Sequence, residues 1–292
     1  MQLGPIGVWS GVFRQDKPEV MKAAAEVEEL GYGAIWMPGG PHAGLADLLH
    51  NLLKSTRRAV VATGIVSIWT HPAAATAATH HTLEQTYPDR FLLGIGISHQ
   101  RVVEGAGLTY AKPLSKLREY LDELDAAPDP VPVDERILAS LGPVSLKLAR
   151  ERSLGTHPYF MPVEHTRISR EAVGAGKIVA PEQMVVLETS ADRARTIARA
   201  AADRYLNAPN YVNNLLRLGF SQADVSNGGS DRLIDALFAW GEPDRIAQRI
   251  AEHHAAGADH VCIQVVTETQ GDLDASMAGW RQLAPALRSL AR

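Results

Sequence analysis

An apolar run that ends in glycines and opens onto a histidine is the most chemically suggestive stretch of the chain: Asp89–Arg90–Phe91–Leu92–Leu93–Gly94–Ile95–Gly96–Ile97–Ser98–His99. Glycine lets a backbone come close to a ligand, and freed N–H groups can cradle a phosphate or a planar ring. On its own, Gly94-x-Gly96 fits a tight turn at a strand end just as well, because two spaced glycines are a weak motif. A second run, Ala62–Thr63–Gly64–Ile65–Val66–Ser67–Ile68–Trp69–Thr70–His71–Pro72, puts a glycine inside a strand. There it marks a bulge, a close ligand approach or simply a crowded position. The third run, Ala139–Ser140–Leu141–Gly142–Pro143–Val144–Ser145, joins a strand end to a helix start. Unpaired N–H groups at such a start favour an anion, though the turn can also cap itself.

Imidazole exchanges protons near neutral pH. His99 follows the glycine pair directly, and His71 and His157 lie at or near strand ends, which makes them candidates for acid–base work. No metal site is expected. His80–His81 and His253–His254 are adjacent on helices and point apart, and neither H-E-x-x-H nor H-x-H at a strand end occurs. Ser10 and Ser145 lack the G-x-S-x-G context of an activated nucleophile. Asp47, Glu104 and Glu164 read as solvated charges. Trp9, Trp36 and Trp69 fall near the ends of the first three strands. They are either barrel packing or an aromatic wall for a flat ligand.

Residues this scattered need a scaffold that gathers strand ends. One unit recurs: an amphipathic helix, a Gly stop, then a short apolar strand. It is seen at Lys17–Leu30 with Gly31, at Pro143–Leu154 with Gly155, and at Pro243–Ala256 with Gly257. In a fourth unit the helix Ala73–Gln85 is followed by the turn Tyr87–Arg90. The expected strands are Gly4–Trp9, Ala34–Met37, Val60–Ile68, Phe91–Ile97, Arg136–Leu141, His157–Met161, Met184–Glu188 and Val261–Val266. Continuous apolar strands alternating with helices predict an α/β fold with a parallel sheet, and eight such units predict a (β/α)8 TIM barrel. A doubly wound open sheet fits less well, since the first βα turn, Trp9–Val12, is not glycine-rich. The connections Ser98–Glu135 and Thr189–His260 exceed one helix. The first holds the helix Pro113–Leu124, and the second holds Ala191–Leu206 and a helical insertion at about 207–241. In a barrel such insertions shape the substrate mouth. No linker divides the chain, so one domain over residues 1–292 is expected.

Composition fits that scaffold. The chain has 292 residues, 46% apolar and 21% charged, long enough to bury a core without disulfides. Its one cysteine, Cys262, excludes a disulfide framework and a cysteine-based zinc site. A net charge of −4 shows no nucleic-acid footprint. No apolar run suits a membrane span, and the first residues lack a signal-peptide pattern. A cytoplasmic enzyme with a small-molecule substrate is the expectation.

Taken in order, these segments resemble the luciferase-like monooxygenase superfamily, and more closely its branch of deazaflavin-dependent oxidoreductases, which use coenzyme F420. The resemblance covers essentially the whole chain. It rests on Thr63–Gly64–Ile65 with Thr70–His71–Pro72, Pro88 to Gly96, Ser140–Leu141–Gly142–Pro143, Gly155–Thr156–His157–Pro158–Tyr159 and Gly257–Ala258–Asp259–His260–Val261. It implies a bacterial luciferase-like barrel with a deazaflavin at the C-terminal mouth. The ring would be backed by a strand-three bulge at Thr63, Gly64 and Ile65 with a cis Gly64–Ile65 peptide. Gly96, Ile97 and Ser98 would contact it through their backbone. Ser140, Leu141 and Gly142 would meet the phosphate or tail, and His157 would complete the cofactor contacts. Relatives place an acid–base residue where His99 stands. Many also carry a histidine after strand two, where this chain reads Pro38–Gly39–Gly40–Pro41–His42. That leaves His99 as first choice for the proton, with His42 and His71 behind it. The implied function is hydride transfer between the coenzyme and a small organic substrate, in a homodimer. An FMN-dependent monooxygenase and a flavin-binding protein without turnover are the alternatives.

Overall fold

The computed structural model describes residues 1–40, 43–269, 271–288 and 290. Its strands are β1 (Ile6–Trp9), β2 (Ala34–Met37), β3 (Val60–Thr63), β4 (Val66–Ser67), β5 (Phe91–Gly96), β6 (Arg136–Leu138), β7 (Gly155–Thr156), β8 (Ile178–Val179), β9 (Glu182–Val186), β10 (Phe238–Trp240) and β11 (Val261–Val265). All of their pairings are parallel. β1 lies between β2 and β11, and β3, β5, β6, β7 and β8 follow from β2. β3 and β4 form one stave broken at Gly64–Ile65, and β8 and β9 form another broken at Ala180–Pro181. Bonds from Ala180 N–H to Thr156 O (2.9 Å) and from Glu182 N–H to Pro158 O (2.9 Å) carry the last stave past β7. β9 then pairs with β11, so eight staves close the ring.

Most strands bury both faces, which is why the sequence shows unbroken apolar runs rather than alternation. The inward side chains include Trp9, Ala34, Trp36, Val60, Ala62, Leu92, Ile137 and Cys262. Their neighbours Ile35, Met37, Val61 and Leu93 turn outward against the helices. The interior is not wholly apolar. Trp36 stacks on His157 with centroids 4.4 Å apart, and its Nε1 donates to His260 Nε2 at 3.0 Å. His260 Nδ1 in turn donates to Gly4 O at 2.7 Å.

The structure changes several strand boundaries. The expected sixth strand His157–Met161 is instead Gly155–Thr156, because Phe160 and Met161 leave the sheet to join a second apolar cluster under the insertion. The seventh stave starts at Ile178, not Met184; Pro181, which has no N–H, interrupts it and hides its first half. The fifth ends at Leu138 rather than Leu141. Region 207–241 holds the helices Pro209–Arg217 and Asp231–Leu237, and also β10, which pairs with β9 and was not expected. Among the described residues no helix is long and apolar enough to cross a membrane.

Candidate active site

At the C-terminal ends of the strands lies a cavity of about 360 Å³. One wall is the break between β3 and β4, where the Gly64–Ile65 peptide is cis. Trp9, from the end of β1, stands beside it. The segment Gly96–Ile97–Ser98–His99 leaves β5 along the next side, followed by Ser140–Leu141–Gly142 beyond β6 and by His157 and Tyr159 beyond β7. Tyr205, at the end of the helix Ala191–Leu206, and Asn210, Tyr211 and Asn214 of the insertion close the top.

Small residues make this seat possible. A Cβ at Gly64 would stand 2.6 Å from Trp9 Nε1 and 3.0 Å from His157 Nε2. A Cβ at Gly96 would stand 2.7 Å from Ile65 Cγ1. Trp69 steadies the β5 exit by donating from Nε1 to Ile97 O at 2.6 Å. Ser98 then adopts a left-handed φ of 63°, which turns the chain toward His99.

The polar groups have defined proton states. His157 Nδ1 donates to Ala180 O at 2.7 Å, which leaves Nε2 as an acceptor. Burial pushes its pKa down to about 4, so the ring is neutral. His99 Nδ1 donates to Asn210 Oδ1 at 3.3 Å, and its ring lies 5.3 Å from that of Tyr211. Burial also lowers the His99 pKa, partly offset by the Asn210 bond, so Nε2 is a neutral acceptor at pH 7. Tyr159 donates to Gln264 Oε1 and accepts from Tyr205, both at 2.7 Å. Below them, burial raises the Glu182 carboxyl to about 8, with Oε2 accepting from Phe160 N–H at 3.3 Å.

Three buried polar atoms of lining residues, Trp9 Nε1, His157 Nε2 and Ser140 Oγ, have no hydrogen-bond partner among the described residues. A buried polar atom without a partner is costly, on the order of 1–3 kcal/mol. A flat heteroaromatic ligand with polar edges would supply partners for these atoms while one of its faces meets Ile65. Gly142 caps the helix Pro143–Arg152, whose N-terminal N–H groups suit an anion. A Cβ at Gly142 would lie 3.8 Å from an Arg217 guanidinium nitrogen, so a second cationic group stands close by.

The structure brings together most of the residues singled out from sequence: His99, Gly64, Ile65, Gly96, Ile97, Ser98, Ser140, Leu141, Gly142 and His157 all line the cavity. Two do not. Thr63 is fully buried, and its hydroxyl donates to Gly94 O and accepts from Gly94 N–H, both at 2.9 Å, so it ties β3 to β5 behind the cavity. His71 is 1% exposed and does not line the cavity; its Nδ1 lies 3.2 Å from Ser67 O, at the start of the helix Ala73–Thr86. His42 lies outside the described residues. Of the tryptophans, Trp9 faces the cavity, Trp36 is core and Trp69 braces Ile97. Sequence reasoning missed the tyrosine and asparagine lid and Glu182. A carboxylate at the head of the buried barrel strand Glu182–Val186 was the available signal for Glu182.

The luciferase-like monooxygenase family model matches residues 4–260. The chain belongs to the luciferase-like monooxygenase family. It is 25% identical over 267 residues to 5,10-methylenetetrahydromethanopterin reductase of Archaeoglobus fulgidus, covering 74% of this chain and 79% of that protein. A Mycobacterium tuberculosis protein named as a coenzyme F420-dependent oxidoreductase is 29% identical over 168 residues, covering 56% of this chain and 46% of its own length. Among solved structures, an F420-dependent secondary alcohol dehydrogenase with an F420-acetone adduct superposes with a TM-score of 0.73 at 16% identity, covering 98% of this chain and all of the other. The FMN-bound oxygenating component of 3,6-diketocamphane monooxygenase from Pseudomonas putida superposes with a TM-score of 0.70 at 15% identity, covering 99% and 98%. At these identities the two superpositions establish the shared barrel fold.

Proposed function

We propose that this protein is an oxidoreductase that transfers a hydride between coenzyme F420 and a small organic substrate. The observation that carries this reading is the cavity itself, an apolar slot backed by Gly64–Ile65, with three unpartnered polar atoms among its lining residues. The Mycobacterium tuberculosis relative, whose name includes coenzyme F420, supports the same choice of coenzyme.

The chain's residues divide the work. Ile65 would bear on one ring face and leave the other to the substrate. Trp9 Nε1–H would donate to a ring-edge oxygen or nitrogen, and His157 Nε2 would accept from a ring N–H. Gly96 and Ile97 would hold the ring through their backbone. The N–H groups at Gly142, with Arg217 nearby, would take the phosphate of the tail. When bound, the deazaflavin supplies the hydride-carrying carbon. His99 is neutral at pH 7 and positioned at the mouth. It would receive the substrate's hydroxyl proton during oxidation and return it during reduction. The lid tyrosines would keep water from the reacting centre.

Titration of purified protein with coenzyme F420 and with FMN, read by absorbance and fluorescence, tests the reading. Saturable binding of coenzyme F420, followed by oxidation of the reduced coenzyme by a carbonyl or enone compound, is the expected result. Binding of FMN alone, with oxygen consumption, would assign the protein to the monooxygenase alternative.

A further inference from the structure

A second cavity, of about 210 Å³, lies across Trp9 and Pro38 from the first, and these two residues line both. Arg14, Arg204, Gln264 and Thr267 are among its other lining residues. Its character differs from that of the ring slot, since two arginines line it.

The arginines of the helix Ala191–Leu206 show why this matters. Arg193 pairs with Glu188 at 3.0 Å, Arg195 with Asp235 at 2.5 Å, and Arg199 with Asp231. Among the described residues Arg204 forms no salt bridge; its guanidinium lies over the Tyr205 ring, 4.6 Å from the centroid, near enough to the buried Glu182 for its charge to lower that carboxyl. Arg14 likewise forms no ion pair among the described residues. It rests against the backbone at Gly40, where a Cβ would come within 2.8 Å of its Nε. Gln264 spends its Oε1 on Tyr159, so its amide NH2 is left to donate. The cavity therefore offers two cations and an amide donor, with no carboxylate among its described lining residues.

Tyr205 lines the ring cavity and its neighbour Arg204 lines the second, so one turn of helix spans both. We propose that the second cavity holds a carboxylate or phosphate group of the substrate while the reacting carbon lies over Trp9 in the first. The substrate class is then a small anionic carbonyl compound or its alcohol. Guanidinium forks suit such groups because two parallel N–H donors match two oxygens. This assignment rests on reading the first cavity as the coenzyme site, and the coenzyme's own anionic tail is the competing source of the same chemistry.

Calorimetric titration of the full chain, with and without coenzyme F420, separates these possibilities. The probes are levulinate, inorganic phosphate and the uncharged methyl propyl ketone. Levulinate and phosphate should bind, the ketone should bind at least tenfold more weakly, and added salt should weaken only the anions. Arg14→Met and Arg204→Met should each weaken levulinate by about tenfold, and Arg204→Lys should fall between Arg204→Met and wild type, because lysine keeps the charge but not the fork. Both arginines are exposed, so folding should survive, as melting curves would verify. Equal binding of levulinate and ketone, or unchanged affinity in Arg204→Met, overturns the proposal. So does a variant that weakens coenzyme F420 but not its tail-less chromophore, since the arginines would then hold the coenzyme's tail. Arginine-dependent levulinate binding in a protein that takes up no coenzyme F420 would uphold the anion site and remove the coenzyme assignment.

Discussion

Adding one methyl group at Gly96 tests whether the slot is shaped for a ring. In Gly96→Ala the new Cβ would stand 2.7 Å from Ile65 Cγ1, 2.8 Å from Ile65 Cδ1 and 3.2 Å from Ala139 Cβ. Ordinary contact begins near 3.4 Å, so Ile65 must retreat by roughly 0.7 Å. The displaced side chain has the open cavity beside it. Without ligand the move is cheap, and stability should fall by less than about 1 kcal/mol. With a ring in the slot that space is taken, and overpacking costs about 1–3 kcal/mol. The coenzyme's Kd should therefore rise roughly five- to hundredfold. The assay is fluorescence titration of coenzyme F420 against wild type and Gly96→Ala, with melting curves for both. Gly105→Ala is the control, because a Cβ there meets nothing within 4 Å. Wild-type affinity in Gly96→Ala would refute the placement of the ring against Ile65, and so would equal losses of affinity and stability.

Other consequences follow from the same geometry. His99→Ala should lower kcat by about 10²–10⁴ while leaving coenzyme Kd within threefold, since a proton carrier acts mainly in the transition state; steady-state kinetics beside binding titrations would read the split. His80, His157 and His260 are lowered to about 4 by burial, and His253 to about 3. The unfolded chain binds protons at these sites below pH 6.5 and the folded chain does not, so Tm should fall steadily from pH 6.5 to 4.5, as circular dichroism would record. Glu182, raised to about 8, acts oppositely: the folded state holds a proton that the unfolded state releases above about pH 4.5, so its stabilising contribution is lost as pH rises to 8. Glu182→Gln should accordingly melt higher than wild type at pH 8 than at pH 5 by comparison, and equal differences at both pH values would contradict a buried neutral acid.

Much of this molecule is written in local pattern. Helix stops at Gly31 and Gly257, each followed by a short apolar strand, mark the βα repeat, because capping and burial on both sheet faces act over a few residues. The runs around Gly64, Gly96 and Gly142 mark strand ends, and in a parallel barrel all strand ends meet at one mouth, so knowing the topology was enough to gather them. Direction and partnership within that mouth were decided by tertiary structure. Thr63 and Gly64 are adjacent, yet the side chain of Thr63 turns back to Gly94 while the backbone of Gly64 lines the slot, because neighbouring strand residues face opposite sides. His71 and His99 look alike in sequence as histidines beyond strand ends, but a bend to Ser67 buries one and a left-handed Ser98 presents the other. The lid tyrosines, the buried acid Glu182 and the meeting of Arg14 with Arg204 depend on contacts between residues far apart in the chain. Such contacts leave no local periodicity, so only the closed barrel assembles them.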